Sequence, residues 1–208
     1  MSLPILLIGG CQKYRPYLNA AIRRIKSDKW ETIAFVGGEK TNSFDPESRI
    51  LFLTAEDTYE ALPAKLHAAF SWIFEHYPNS PGIFKTDDDL LYPVPMLEKA
   101  VQENQQIPYW GVVVTRCVEN KINLGRINAR FNDKSLRPSH QAATYCFGWG
   151  YWVNRTALSK IAESGDDYRN SYLEDVCTGY VLNRAGMIPH HIDVPYREVP
   201  RDQTLLNL

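Results

Sequence analysis

Gly82-Ile83-Phe84-Lys85-Thr86-Asp87-Asp88-Asp89 runs a short apolar segment straight into three adjacent carboxylates. Upstream of it, Leu62, Leu66, Ala69, Phe70 and Ile73 recur at helical spacing between Leu62 and His76. Pro78, Pro81 and Gly82 end that helix. Ile83 to Thr86 therefore reads as a buried strand that follows a helix and delivers an acidic cluster at its carboxyl end. Three like charges in a row repel one another unless something positive sits among them. A divalent cation carrying a diphosphate suits such hard oxygen ligands. An acidic, solvated turn is the plainer reading of the same residues.

The alternation continues on both sides. Ile5 to Ile8 is a continuous apolar run opening into Gly9-Gly10, a strand followed by a loop. Pro16 starts a helix through Lys26, with Leu18, Ala21, Ile22 and Ile25 on one face. Thr32–Val36 and Ile50–Leu53 are further strands. Beyond the triplet come a short helix from Pro95 to Glu103 and a strand from Tyr109 to Thr115. A polar, basic, loop-rich stretch follows from Gly125 to His140. Tyr145–Phe147 and Tyr151–Val153 read as strand pieces flanking Gly148-Trp149-Gly150. Asn154 is a good N-cap for a helix from Arg155 to about Glu163. A helix from Glu174 to Ala185 is closed by Gly186, and Met187–Val194 is a last strand. The expectation is one α/β domain with a mostly parallel central sheet and helices on both faces. In such sheets ligands sit beyond the carboxyl ends of strands, which puts Gly9-Gly10 and Asp87–Asp89 on one rim.

Composition narrows the function. Apolar residues make up 44% and charged residues 23% of 208, so the chain is globular. A net charge of -1 argues against a broad nucleic-acid or anionic-membrane surface. Trp and Tyr are plentiful, and their rings suit the C–H faces of sugars. Cys11, Cys117, Cys146 and Cys177 form no CxxC pair and read as buried thiols of a reducing compartment. No apolar run approaches a membrane span, and Pro4–Ile8 is too short for a signal peptide, so a cytoplasmic location is expected. Walker A, GxGxxG and GxSxG patterns are all missing, against a P-loop, a Rossmann cofactor site and a serine hydrolase.

Two more constellations stand out. Leu173-Glu174-Asp175-Val176 opens a helix, where acids complement the dipole whatever else they do. Gly179 within that helix is costly unless something packs closely against it. Cys146-Phe147-Gly148-Trp149-Gly150-Tyr151 places a Trp between two glycines, either to bring backbone and a flat ring to a ligand or to make a tight turn around a core Trp.

Taken in order, these segments resemble the family 31 glycosyltransferases, which include β-1,3-galactosyltransferases, β-1,3-N-acetylglucosaminyltransferases and fringe-like enzymes. Asp57-Thr58-Tyr59-Glu60-Ala61-Leu62-Pro63-Ala64-Lys65 is similar to the family's D-x-Y-x-N-L-x-x-K segment. Lys85-Thr86-Asp87-Asp88-Asp89 resembles its K-T-D-D-D. Tyr145–Val153 resembles its Y-C-x-G-x-G-Y-V, and Leu173–Gly179 its L-E-D-V-x-x-G. The resemblance spans about residues 50–186 and implies a GT-A fold. It also implies a divalent metal (Mn²⁺, or Mg²⁺), a UDP-sugar donor, a glycan or glycoconjugate acceptor and inversion at the anomeric carbon. On it, a nucleotide-binding part covers about residues 1–90 and an acceptor and catalytic part about 91–208. Asp89 is then the main metal ligand, and Asp87 faces the ribose or the metal shell beside Asp88. Asp175 is the catalytic base supported by Glu174, and Gly148, Trp149 and Gly150 lie along the donor sugar or acceptor. The family also uses a late histidine on the metal, for which His190 and His191 are the candidates here.

Lys65, Arg126 and Arg130 are candidate diphosphate contacts, a solvated surface charge being the plain alternative for each, and Lys85 is a further candidate donor contact. Gly9, Gly10 and Cys11 are candidates for backbone contacts to uracil, with Lys13 and Arg15 nearby. The chain departs from the family pattern at Ala61, where Asn is usual, and at Trp149, where a small residue is usual. Two rival classes use the same residues: a metal-dependent phosphoesterase, and a non-catalytic sugar-nucleotide or glycan-binding module.

Overall fold

The computed structural model describes residues 2–115, 144–171 and 173–199. Its centre is an eight-stranded sheet in the order β3-β4-β2-β1-β5-β8-β7-β9. The strands are β1 (Ile5–Gly9), β2 (Glu31–Val36), β3 (Ser43–Asp45), β4 (Ile50–Phe52), β5 (Gly82–Asp87), β7 (Tyr109–Thr115), β8 (Thr144–Asn154) and β9 (His190–His191). A two-stranded ribbon pairs β6 (Leu90–Leu91) with β10 (Arg197–Glu198). The helices are α1 (Arg15–Arg24), α2 (Leu62–His76), α3 (Val94–Asn104), α4 (Arg155–Ala162), α5 (Gly165–Arg169) and α6 (Glu174–Arg184).

The strands are apolar on both sides because both sides are covered. Ile5, Leu7, Ile33, Phe35 and Ile83 pack under α2, α4 and α6 through Leu66, Phe70, Leu158 and Leu182. Leu6, Ile8, Ala34, Val36 and Phe84 face the other way, onto α1 and α3 through Leu18, Ile25, Leu97 and Val101. The period of two along each strand divides the core into these two layers. Asn154 caps α4 as expected, its side chain accepting the Ala157 N–H at 3.0 Å.

Strands β4, β2, β1 and β5 run parallel, so their carboxyl ends share one edge. The register pairs Gly9 with Asp87, which sets the glycine loop beside the acidic triplet as anticipated. Strand β8 runs antiparallel to β5 with Gly150 opposite Thr86. Its first half therefore carries Phe147, Gly148 and Trp149 past the end of β5 to the same rim.

Two expectations need correction. Residues 144–154 form one continuous strand rather than two pieces around a turn. Its pairing with β7 does shift register at the glycines, from Gly111 opposite Tyr151 to Val113 opposite Cys146, and the glycines admit close neighbours. A Cβ on Gly150 would stand 2.1 Å from the Tyr92 hydroxyl, and one on Gly148 3.0 Å from Glu174 Oε1. The last strand shrinks to His190–His191, because only those residues pair with Trp110 and Gly111 of β7. The basic stretch from Gly125 to His140, with Arg126 and Arg130, lies outside the described residues, as does Cys117. Among the described residues no helix is long and apolar enough to cross a membrane.

Candidate active site

A cleft of about 850 Å³ opens along the carboxyl ends of β1, β5 and the near half of β8. It gathers segments far apart in sequence. Gly9, Gly10 and Cys11 come from the loop after β1, and Asp57 and Lys65 from the entry to α2. Asp87, Asp88 and Asp89 end β5, Phe147 to Trp149 lie on β8, and Glu174 and Asp175 open α6. Among the described residues seven carboxylates line it against one lysine, with Glu198 the seventh.

The loops at the β1 end are tied together by Asp57. Its Oδ2 accepts the Gln12 N–H at 2.6 Å, and its Oδ1 accepts the Gly37 N–H at 3.0 Å and the Lys65 ammonium at 2.8 Å. Lys65 is only 3% exposed and gives a second bond, 2.8 Å, to the Gly10 carbonyl. One carboxylate thus joins the loop after β1, the loop after β2 and the first turn of α2. Burial works to raise the Asp57 pKa, but the Lys65 ammonium and the backbone donors Gly37 and Gln12 outweigh it and hold it below the usual aspartate value. Lys65 thereby serves the loops first, with its ammonium at the cleft wall.

Behind the acidic rim lies Lys85, fully buried. Its three donors reach Asp87 Oδ1 at 2.9 Å, the Gly148 carbonyl at 2.6 Å and Glu174 Oε1 at 2.6 Å. Lys85 is thus a strut joining β5, β8 and α6, its three donors taken by protein acceptors. Burial pulls its pKa down, yet Asp87 and Glu174 together push it above the usual lysine value. Burial pushes Glu174 up to about 8 against the opposing pull of Lys85, with the Asp175 and Asp87 charges adding to the rise. Glu174 Oε2 is buried and has no hydrogen-bond partner among the described residues. Both partners thus lean to their protonated forms, because one ammonium serves two carboxylates.

Asp175 sits on the first turn of α6. Its Oδ2 accepts the Gly148 N–H at 3.1 Å and its Oδ1 its neighbour Val176 N–H at 2.8 Å. Burial raises its pKa, opposed by those backbone donors and by Lys85. A partly desolvated carboxylate held by two N–H groups is oriented and more basic than one in water. The helix bearing it lies close against β8 because Gly179 has no side chain. A Cβ there would stand 2.4 Å from Tyr145 Cβ and 2.9 Å from the Thr144 carbonyl.

Other expected residues fall elsewhere. Gly150 is not on the cleft; it backs onto Tyr92 and Phe84. His190 and His191 are exposed on β9, at the sheet edge beyond β8 and β7, where His191 Nδ1 accepts the Val113 N–H at 3.2 Å. Neither stands with the carboxylates. Arg15 turns over the Phe52 ring, and the cleft residue of that turn is Tyr14. Asp87–Asp89 offer the hard oxygen donors that suit Mn²⁺ or Mg²⁺. Among the described residues, however, no group of three or more His, Cys, Asp or Glu is arranged to hold a metal ion by itself. Sequence reading assigned no role to Asp57, whose part depends on three loops converging, nor to Phe147 and Glu198.

A family profile described as galactosyltransferase matches residues 42–193. Over 141 residues the chain is 25% identical to the lactosylceramide 1,3-N-acetyl-beta-D-glucosaminyltransferase A of Xenopus laevis, covering 65% of this chain and 36% of that protein. Over 137 residues it is 25% identical to beta-1,3-galactosyltransferase 2 of Mus musculus, covering 64% of this chain and 32% of that one. The chain thus spans about a third of the length of these curated relatives. The 4-diphosphocytidyl-2C-methyl-D-erythritolsynthase from Anaerococcus prevotii DSM 20548 aligns over 99% of this chain and 94% of its own. Its TM-score is 0.54 at 8% identity, a likeness of fold alone. The GT-A-type α/β architecture expected from the motifs is the one the chain adopts.

Proposed function

The chain belongs to the galactosyltransferase family, and from that premise we propose that the cleft transfers a sugar from a UDP-sugar to a hydroxyl of a glycan or glycoconjugate, with inversion. The observation that carries this reading is the convergence of all four motif segments on one acidic cleft at the carboxyl ends of the parallel strands. An anionic diphosphate entering among seven carboxylates is repelled unless a cation comes with it. That favours a divalent ion, which Asp89 and Asp87 would hold. When bound, such an ion neutralises charge developing on the departing diphosphate.

The chain's own residues do the rest. The loops fixed by Asp57 and Lys65 offer the backbone of Gly9, Gly10 and Cys11 to the nucleobase. Lys85 keeps Asp87 and Glu174 in register across β5 and α6. Asp175 takes the proton of the acceptor hydroxyl as the new bond forms, its orientation set by the Gly148 and Val176 N–H groups. A phosphoesterase would use the same carboxylates to activate water, and a binding module would need no base.

The test is Asp175→Asn in a transfer assay with separate donor-binding measurement. The amide keeps the size but cannot accept the proton. Turnover should fall by roughly 10²–10⁴-fold while UDP-sugar affinity stays within about threefold. Full turnover in the variant would remove Asp175 from the base role. Acceptor-independent release of phosphate or sugar would favour the phosphoesterase.

A further inference from the structure

We propose that Trp149, backed by Phe147 and Tyr196, is the platform on which the terminal pyranose of a neutral acceptor stacks; this rests on the transferase reading of the cleft. Trp149 stands where the family pattern carries a small residue, and it is 39% exposed on the cleft wall. Its ring is held on two sides. Phe147 stacks on it at 4.5 Å between centroids and 16° between planes, and Tyr196 tilts against it at 5.4 Å and 52°. Its backbone is pinned as well: Thr86 Oγ1 and the Tyr92 hydroxyl both donate to the Trp149 carbonyl, at 3.1 and 3.0 Å. The indole is thus pre-set without being covered. An apolar ring that stays wet beside carboxylates is the pairing that recognises a sugar. The ring takes the C–H face, displacing water from both, and the carboxylates accept from the hydroxyl edge.

The order of strands assigns the platform to the acceptor. The loops after β1 and β4 line the end of the cleft assigned to the nucleotide, the acidic triplet ends β5, and Trp149 rides on β8 on the far side of β5. Its neighbour Gly148 donates to Asp175, the proposed base, so α6 holds the base against the strand that carries the ring. The seven carboxylates of the cleft select against an acceptor whose terminal residue carries its own negative charge.

Saturation-transfer NMR would use methyl β-galactoside, methyl β-N-acetylglucosaminide and methyl β-glucuronide, on the wild type and on Trp149→Ala and Trp149→Phe, with UDP plus Mn²⁺ titrated in parallel. A neutral glycoside should bind the wild type through its ring C–H protons, and the glucuronide at least roughly tenfold more weakly. Trp149→Ala should weaken the neutral glycoside by roughly tenfold, and Trp149→Phe by no more than about threefold. UDP affinity should be equal in all three proteins. Absence of glycoside binding in the wild type overturns the proposal, as does equal glycoside affinity in Trp149→Ala or Trp149→Phe losing as much as Ala. Loss of UDP affinity in Trp149→Ala with glycoside affinity kept moves the ring to the donor side and overturns it too. UDP binding without glycoside binding sinks the platform alone. Trp149-dependent glycoside binding without UDP binding sinks the transferase reading and leaves the platform standing.

Discussion

Asp57→Ala should destabilise the protein far more than an exposed aspartate would. The side chain of Asp57 is 14% exposed and that of Lys65 3%. Removing the carboxylate leaves a buried ammonium with only the Gly10 carbonyl, and leaves the Gln12 and Gly37 N–H groups without their acceptor. Breaking a buried ion pair from one side costs about 3–5 kcal/mol. Gly37 is buried, so its N–H left without an acceptor makes this figure a lower bound. For a chain of this size that corresponds to a melting-temperature drop of roughly 6–20 °C. Removing both charges in Asp57→Ala/Lys65→Met should be milder than the sum of the single losses by about 1–3 kcal/mol, because no orphaned charge remains. The pH dependence has a definite sign. Asp57 is depressed below its unfolded value, so its contribution is present above about pH 4 and is lost as pH falls through its folded pKa. The difference between wild type and variant should therefore shrink in acid. Urea unfolding followed by circular dichroism at pH 7 and pH 3 measures all of this. A loss under about 1 kcal/mol at pH 7, or strict additivity of the two substitutions, would refute the clamp.

Further outcomes follow from other residues. Glu174 is raised to about 8 by burial, so its contribution is full below its unfolded value near 4.3 and is lost as pH rises through the folded value. Wild-type stability should fall between pH 5 and pH 8, and Glu174→Gln should flatten that fall; parallel urea profiles for the two proteins would count against a protonated Glu174. Gly179→Ala gains about 1 kcal/mol of helix propensity but meets Tyr145 Cβ at 2.4 Å. The clash should win, with a net loss of about 1–2 kcal/mol in thermal unfolding and lower transfer activity as α6 lifts from β8.

Much of this architecture was readable because burial on two faces leaves a plain trace. The helix from Leu62 to His76 and the strand from Tyr109 to Thr115 have the bounds that periodicity predicts. Gly179 was costly on its face, and the costs are offset by the contact with Thr144 and Tyr145. Strand β8 runs through its glycines as one element, but its pairing with β7 shifts register there, and Tyr92 and Glu174 pack where side chains are missing. Strands β3, β6, β9 and β10 are two or three residues long, too short to leave an alternation. In the site, the acidic triplet and the Glu174-Asp175 pair announced themselves by charge. Lys85 could not be placed from its neighbours, since its burial depends on Glu174, 89 positions away, arriving on the far side.

The most direct test is calorimetric titration with a panel of nucleotide sugars, with and without Mn²⁺, on the wild type and on Asp89→Ala. The account predicts that one UDP-sugar binds, that binding needs Mn²⁺, and that Asp89→Ala abolishes it while the protein stays folded. A folded wild type that binds no nucleotide sugar, or one whose binding is untouched by Asp89→Ala, would contradict it.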